Sequence, residues 1–156
     1  MFSVSTFTFL AVALLASGSA ATGHAESRVP CRSLPAAVLH QAKAEAGNAT
    51  IRGCAQDKEN GDLTYEVETT QQDGRSKDIA LDASGTVVEV EQEIMAGSLP
   101  PAVSDAIAKA ADGGKAGKIE SVTRGGVIPS YETTITKDGR QREVAFSSAV
   151  APVPAD

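Results

Sequence analysis

The stretch YEVETTQQDGRSKDIAL, Tyr65 to Leu81, returns downstream as YETTITKDGRQREVAF, Tyr131 to Phe146. A repeat constrains a fold more than composition does, because each copy must make the same supersecondary unit. Leu34-Pro35 recurs as Leu99-Pro100, Val38 as Val103, Asp73-Gly74-Arg75 as Asp138-Gly139-Arg140 and Leu81 as Phe146, all at an offset of 65. Tyr65 and Tyr131 differ by 66, so the second copy gains one residue before the tyrosine and loses one after it. Slips of that size belong in loops and hairpins.

Each copy opens on a helix. Leu34, Val38, Leu39, Ala42 and Ala46 share one side of a 3.6-residue helix, which Gly47-Asn48 ends. Leu99, Val103, Ala106, Ile107 and Ala110 repeat the stripe, stopped by Gly113-Gly114. Extended runs follow near 50–57, 63–71, 76–82 and 86–92, with Asn60-Gly61, Asp73-Gly74 and Ser84-Gly85 as turns. Alternation puts Tyr65, Val67, Ile79, Leu81, Val88 and Val90 on one face, and Glu66, Glu68, Asp78, Glu89 and Glu91 on the other. In the second copy the runs lie near 118–124, 130–136 and 141–147. A fourth is degraded by Pro152 and Pro154, leaving a short edge strand or a loose tail.

These readings predict an α+β protein of two tandem helix-plus-antiparallel-meander units, with the helices on one face of the sheet or sheets. The expected boundaries are 30–93 and 98–150, with 151–156 as a tail.

Residues 1–25 carry no charged side chain, and an apolar run from Phe7 to Ala16 precedes small residues. This reads as a signal peptide over 1–21, with cleavage as late as 25, and an uncleaved anchor as the alternative. A secreted or periplasmic protein is expected. The formal net charge of −6 argues against nucleic acid and anionic membranes as partners, since both require a basic surface. Beyond the first 25 residues the aromatics are Tyr65, Tyr131 and Phe146, so any core is built from aliphatics and alanine.

Cys31 and Cys54 are the two cysteines. In an oxidising compartment a disulfide is the expected use, and closing that loop stabilises by about 3 kcal/mol. Free or metal-binding thiols are the competing use, although zinc sites need closely spaced Cys or His pairs.

The segments LPAAVLHQAK, TYEVETTQQDGRSKDIALDASGTVVEVE, LPPAVSDAIAKA and YETTITKDGRQREVAF resemble the PepSY-like family, also described as β-lactamase-inhibitor-like, in two tandem copies. The resemblance implies helices packed on one face of an antiparallel sheet. It also implies an exported domain that binds or modulates other proteins, with inhibition of hydrolases among the implied roles. It brings no catalytic residue and no cofactor. An aromatic-rich inhibitory surface is not expected, because the few aromatics are needed for the core.

A nucleophilic triad needs a His beside Ser or Cys. The histidines are His24, at the signal junction, and His40, on the polar side of its helix. Neither has an orienting partner in the sequence, so no enzyme is expected. DKENGDLTYE, Asp57 to Glu66, gathers carboxylates around Gly61 but departs from EF-hand spacing and reads as an acidic hairpin, so no metal site is assigned. The candidate binding face is the outward row Glu66, Glu68, Glu89 and Glu91. The expected function is an exported, non-catalytic protein engaging another extracytoplasmic protein or peptide. The alternative is a weak divalent-cation or small-ligand binder using the same acidic face.

Overall fold

Strand alternation and the two amphipathic stripes resolve, in a computed structural model, into one antiparallel sheet with two helices across it. The structure describes residues 27–59, 62–126, 130–148 and 152–153. The strands are β1 (Ser27–Arg28), β2 (Thr50–Glu59), β3 (Asp62–Thr70), β4 (Ser76–Asp82), β5 (Val87–Ile94), β6 (Lys115–Arg124), β7 (Ser130–Lys137), β8 (Arg140–Ser147) and β9 (Pro152–Val153). They lie side by side in chain order, and every neighbouring pair is antiparallel. Helix α1 (Ala36–Ala46) precedes β2, and α2 (Pro101–Ala111) precedes β6. The signal segment, the Asn60-Gly61 turn and His24 lie outside the described residues.

The expectation of two tandem helix-plus-meander units is overturned. Strand β5 is paired along both edges, to β4 through Ile79↔Val90 and to β6 through Ile94↔Ile119, so one sheet runs through. The reason is a shared strand. Val90 packs against the core under α1, whereas Ile94 packs against the core under α2. Splitting the sheet there would expose two rows of unpaired backbone groups and divide an apolar surface.

Both helices cover the same face. Under α1, Val38 and Ala42 meet Cys54, Tyr65, Val67, Ile79 and Leu81; Val38, Ala42, Val67, Ile79 and Leu81 are 0% exposed. Under α2, Val103 and Ile107 meet Ile119, Ile135, Val144 and Phe146. The β4–β5 turn reaches under α1, where Gly85 sits at φ +90 and a Cβ would come within 2.9 Å of the Ala37 carbonyl group. Only glycine fits that approach. In the β7–β8 turn Asp138 (φ 50) and Gly139 (φ 74) both adopt positive φ. That matches the two-residue turn favoured by Asp-Gly, and it fixes the register Lys137↔Arg140.

Cys31 and Cys54 form a disulfide with Cα atoms 5.2 Å apart, tying the turn before α1 to β2. One side-chain assignment shifts. Ala80 pairs with Glu89 and Leu81 with Val87, so Val88 is the extra residue of a bulge and Val87, not Val88, packs in the first core. Strict alternation cannot foresee an inserted residue. The proline-rich end contributes β9, which pairs with Ala145 and Phe146 at the sheet edge.

Candidate functional site

Strands that bury every second side chain under the helices must present the others on the opposite face. Among the described residues no element covers that open face. The register aligns its side chains in rows across the strands. One row runs Ala55, Glu66, Ala80, Glu89 and Arg124; the next runs Gly53, Glu68, Asp78, Glu91 and Val122; a third runs Glu93, Glu120 and Glu132. Two rows thus place carboxylates directly opposite one another on three consecutive strands. Like charges so placed repel.

Cations partly answer this repulsion. Arg28 donates from both terminal nitrogens to the two oxygens of Glu68, at 2.6 Å each. The fork lies in space left by Gly53, where a Cβ would sit 2.5 Å from both groups. Arg124 donates through Nε to Glu89, itself 3% exposed, and reaches Glu132 at 3.9 Å. Lys118 pairs with Glu120 at 2.6 Å and donates to the Ser76 hydroxyl at 3.0 Å. Asp78 and Glu91 form no ion pair with Lys or Arg among the described residues.

The centre of the face accordingly resists ionisation. Burial, followed by the charges of Glu89, Glu120, Glu132 and Glu66, pushes the Glu91 carboxyl up to about 9. Burial raises Asp78 to about 6 despite a hydrogen bond from the Thr69 amide and the nearby Lys118 charge. Glu132 rises to about 7, again by burial, with Arg124 pulling the other way. Glu143 is raised by burial and by Glu120. Asp78, Glu91 and Glu120 each offer a carboxylate oxygen, and the three lie within 4.8 Å of one another. Such a group can accept several N–H donors or share a divalent cation.

The row read from sequence is on this face, but β4 separates Glu66 and Glu68 from Glu89 and Glu91. The structure brings Glu91 to Asp78 and to Glu120 of β6, a grouping the sequence reading did not make. Glu89 is buried beneath Arg124 rather than solvated. His40 is exposed on α1, remote from the carboxylates on the far side of the sheet.

No protein-family model matches the chain, and no curated protein matches it. Solved structures do. A BLIP-like protein from Bacteroides fragilis matches at a TM-score of 0.57 and 21% identity, covering 76% of this chain and 82% of that one. A DUF2874 family protein from Bacteroides ovatus matches at 0.61 and 13% identity, over 78% and 86%. The fold is BLIP-like. A protein from Bacteroides eggerthii, proposed to be periplasmic, matches at 0.64 and 15% identity, over 77% and 86%. At these identities the likeness extends to the BLIP-like fold alone. No helix among the described residues is long and apolar enough to cross a membrane.

Proposed function

We propose that this BLIP-like chain is a non-catalytic binding or modulatory protein of an extracytoplasmic compartment, and that the open sheet face receives another protein or peptide. The observation that carries the reading is a face of seven full-length strands left uncovered among the described residues, with opposed carboxylates along it. A charged pattern on an uncovered sheet is a surface that a partner of complementary potential can recognise. Glu66, Glu68, Glu89 and Glu91 are proposed as parts of it, joined by Asp78, Glu120 and Glu132. Export fits the apolar N-terminal sequence, proposed as a signal over 1–21, and the compartment proposed for the B. eggerthii neighbour. The PepSY-like resemblance is kept as part of this proposal, as a sequence relation between 30–93 and 98–150 within one sheet.

The test is a photo-cross-linking amino acid placed on the open face at Thr70 or Thr134, or on α2 at Asp105. The protein is exposed to extracytoplasmic extract from its source organism. Discrete adducts from the open-face positions and none from Asp105 are expected. Adducts from Asp105 alone, or none, would remove the reading.

A second reading is favoured by one observation, the three oxygens of Asp78, Glu91 and Glu120 within 4.8 Å: a weak divalent-cation site. Calcium would then raise the melting temperature, since a ligand that binds the native state stabilises it. An unchanged melting temperature at millimolar calcium removes it.

A further inference from the structure

We propose that the two outer edges of the sheet join molecules of this chain head to tail, the β8 edge of one taking β1 of the next in the place that β5 holds inside the chain. The proposal concerns the edges and stands apart from the open face described above.

Strand pairings recur at an offset of 65. β1 meets β2 through Ser27↔Gln56 and Arg28↔Ala55, and β5 meets β6 through Gln92↔Ser121 and Glu93↔Glu120. Both strands then leave the sheet alike, through a 3-10 turn (Cys31–Ser33 or Ala96–Ser98) into a helix. β1 therefore stands to β2 as the end of β5 stands to β6. At the other edge Phe146↔Pro152 repeats Leu81↔Val87 at the same offset. β9 thus takes the place of the start of β5.

What differs is the length of the cover. β5 continues along β4 through Ile79↔Val90, Asp78↔Glu91 and Lys77↔Gln92, whereas among the described residues the outer side of β8 is paired only at Ala145 and Phe146. Ile79 and Leu81 are 0% exposed, while their counterparts Val144 and Phe146 are each 8% exposed. Lys77 and Arg142 both donate to a helix carbonyl, of Glu45 and of Ala110, at the same offset again. Lys77 is half-buried beside β5, and Arg142 is exposed.

The backbone agrees with this register. Lys137 and Arg140 close a two-residue hairpin and bond across it, so Gln141 and Glu143 turn their N–H and C=O groups outward. On β1 the Val29 amide donates to the Cys54 carbonyl, so Arg28 turns its groups away from β2. Setting Ser27 opposite Arg142, as Gln92 lies opposite Lys77, brings Arg28 to Gln141 with both sets of outward groups facing. A register displaced by one residue would not.

Charge narrows the choice of partner. Arg140, Arg142 and Glu143 disfavour indiscriminate strand pairing along this edge. A second molecule brings Arg28 where β5 has Glu93, and Ala55 where β6 has Glu120, so the carboxylate crowding of the β5–β6 join does not recur beside Glu143. Because β1 and β5 leave the sheet alike, α1 of the second molecule follows the course by which α2 clears α1. The two edges differ, so the contact does not close on itself and repeats from molecule to molecule.

Sedimentation velocity of the full chain from about 1 μM to about 1 mM, the range of weak association, is expected to show the mass rising about twofold or more. Gln141→Pro removes an outward N–H and should hold the chain monomeric, with circular dichroism checking its fold. Disulfide trapping reads the orientation and decides alone if Gln141→Pro does not fold. Ser27→Cys mixed with Arg142→Cys should give a mixed dimer in several-fold excess over either variant with itself, since residues opposite one another lie within disulfide reach. A monomer at every concentration, assembly that survives in folded Gln141→Pro, or self-dimers as abundant as the mixed dimer would each overturn the proposal.

Discussion

Strand β3 presents Tyr65, Val67 and Thr69 to the helices, and Glu66, Glu68 and Thr70 to the open side. The two faces of the same sheet therefore obey different physics. On the covered face each group meets its complement: apolar side chains pack on apolar ones, and the buried Thr69 hydroxyl donates to the Lys77 carbonyl at 2.5 Å. On the open face carboxylates oppose carboxylates, with Arg28, Lys118 and Arg124 pairing with Glu68, Glu120 and Glu89 while Asp78 and Glu91 form no ion pair with Lys or Arg among the described residues. One face holds the fold together. The other is tolerated by it, and surfaces that oppose stability are where function is to be sought.

The largest expected effect breaks the covered face. Leu81 is 0% exposed, so Leu81→Ala removes apolar contacts and leaves a cavity; a loss of about 2–5 kcal/mol is expected in urea denaturation. Next comes the disulfide. Converting Cys31 and Cys54 together to Ser should cost about 3 kcal/mol, read the same way, because the 23-residue separation it closes is released in the unfolded chain.

Substitutions on the open face should act in the opposite direction. Folding holds the Glu91, Asp78 and Glu132 carboxyls above their ordinary ranges. Between the unfolded and folded values the native chain binds more protons than the unfolded one, so stability must fall as pH rises. The contribution is fully present below about pH 4, and it is lost through about 6 for Asp78, 7 for Glu132 and 9 for Glu91. Thermal melts across this range check the slope. Glu91→Gln should be close to neutral near pH 4 and stabilising by about 1 kcal/mol or more at pH 8. A variant destabilised at pH 8 would mean that Glu91 makes a favourable ionised contact. The smallest effect belongs to Gly53→Ala, whose Cβ displaces the exposed Arg28–Glu68 fork; about 0.5 kcal/mol or less is expected.

Much of the covered face was legible in the sequence, because burial under a helix imposes a period. The stripe from Leu34 to Ala46 and the alternation of Tyr65, Val67, Ile79 and Leu81 both follow from it. Val88 was misread because a bulge interrupts the period without leaving a composition signal. The join between β5 and β6 was not legible either. Met95 to Gly114, including α2, intervenes between them, and no hairpin turn sets their register. Hence Glu120 and Glu132 were not connected to Glu91, although Lys118, Glu120, Val122 and Arg124 alternate along β6 as Glu89 and Glu91 do along β5. β1 is two residues long, too short for any pattern, yet it brings the arginine that pairs with Glu68.

The central claim is that burial and crowding in the middle of the open face hold its carboxyls protonated far above their ordinary range. Carbon-13 NMR of the glutamate side-chain carboxyls, titrated from pH 3 to 10 with Glu91→Gln for assignment, tests it directly. Glu91 is expected to titrate near the value of about 9 that burial and its neighbours impose. A Glu91 midpoint in the ordinary range, near 4.5, would contradict it.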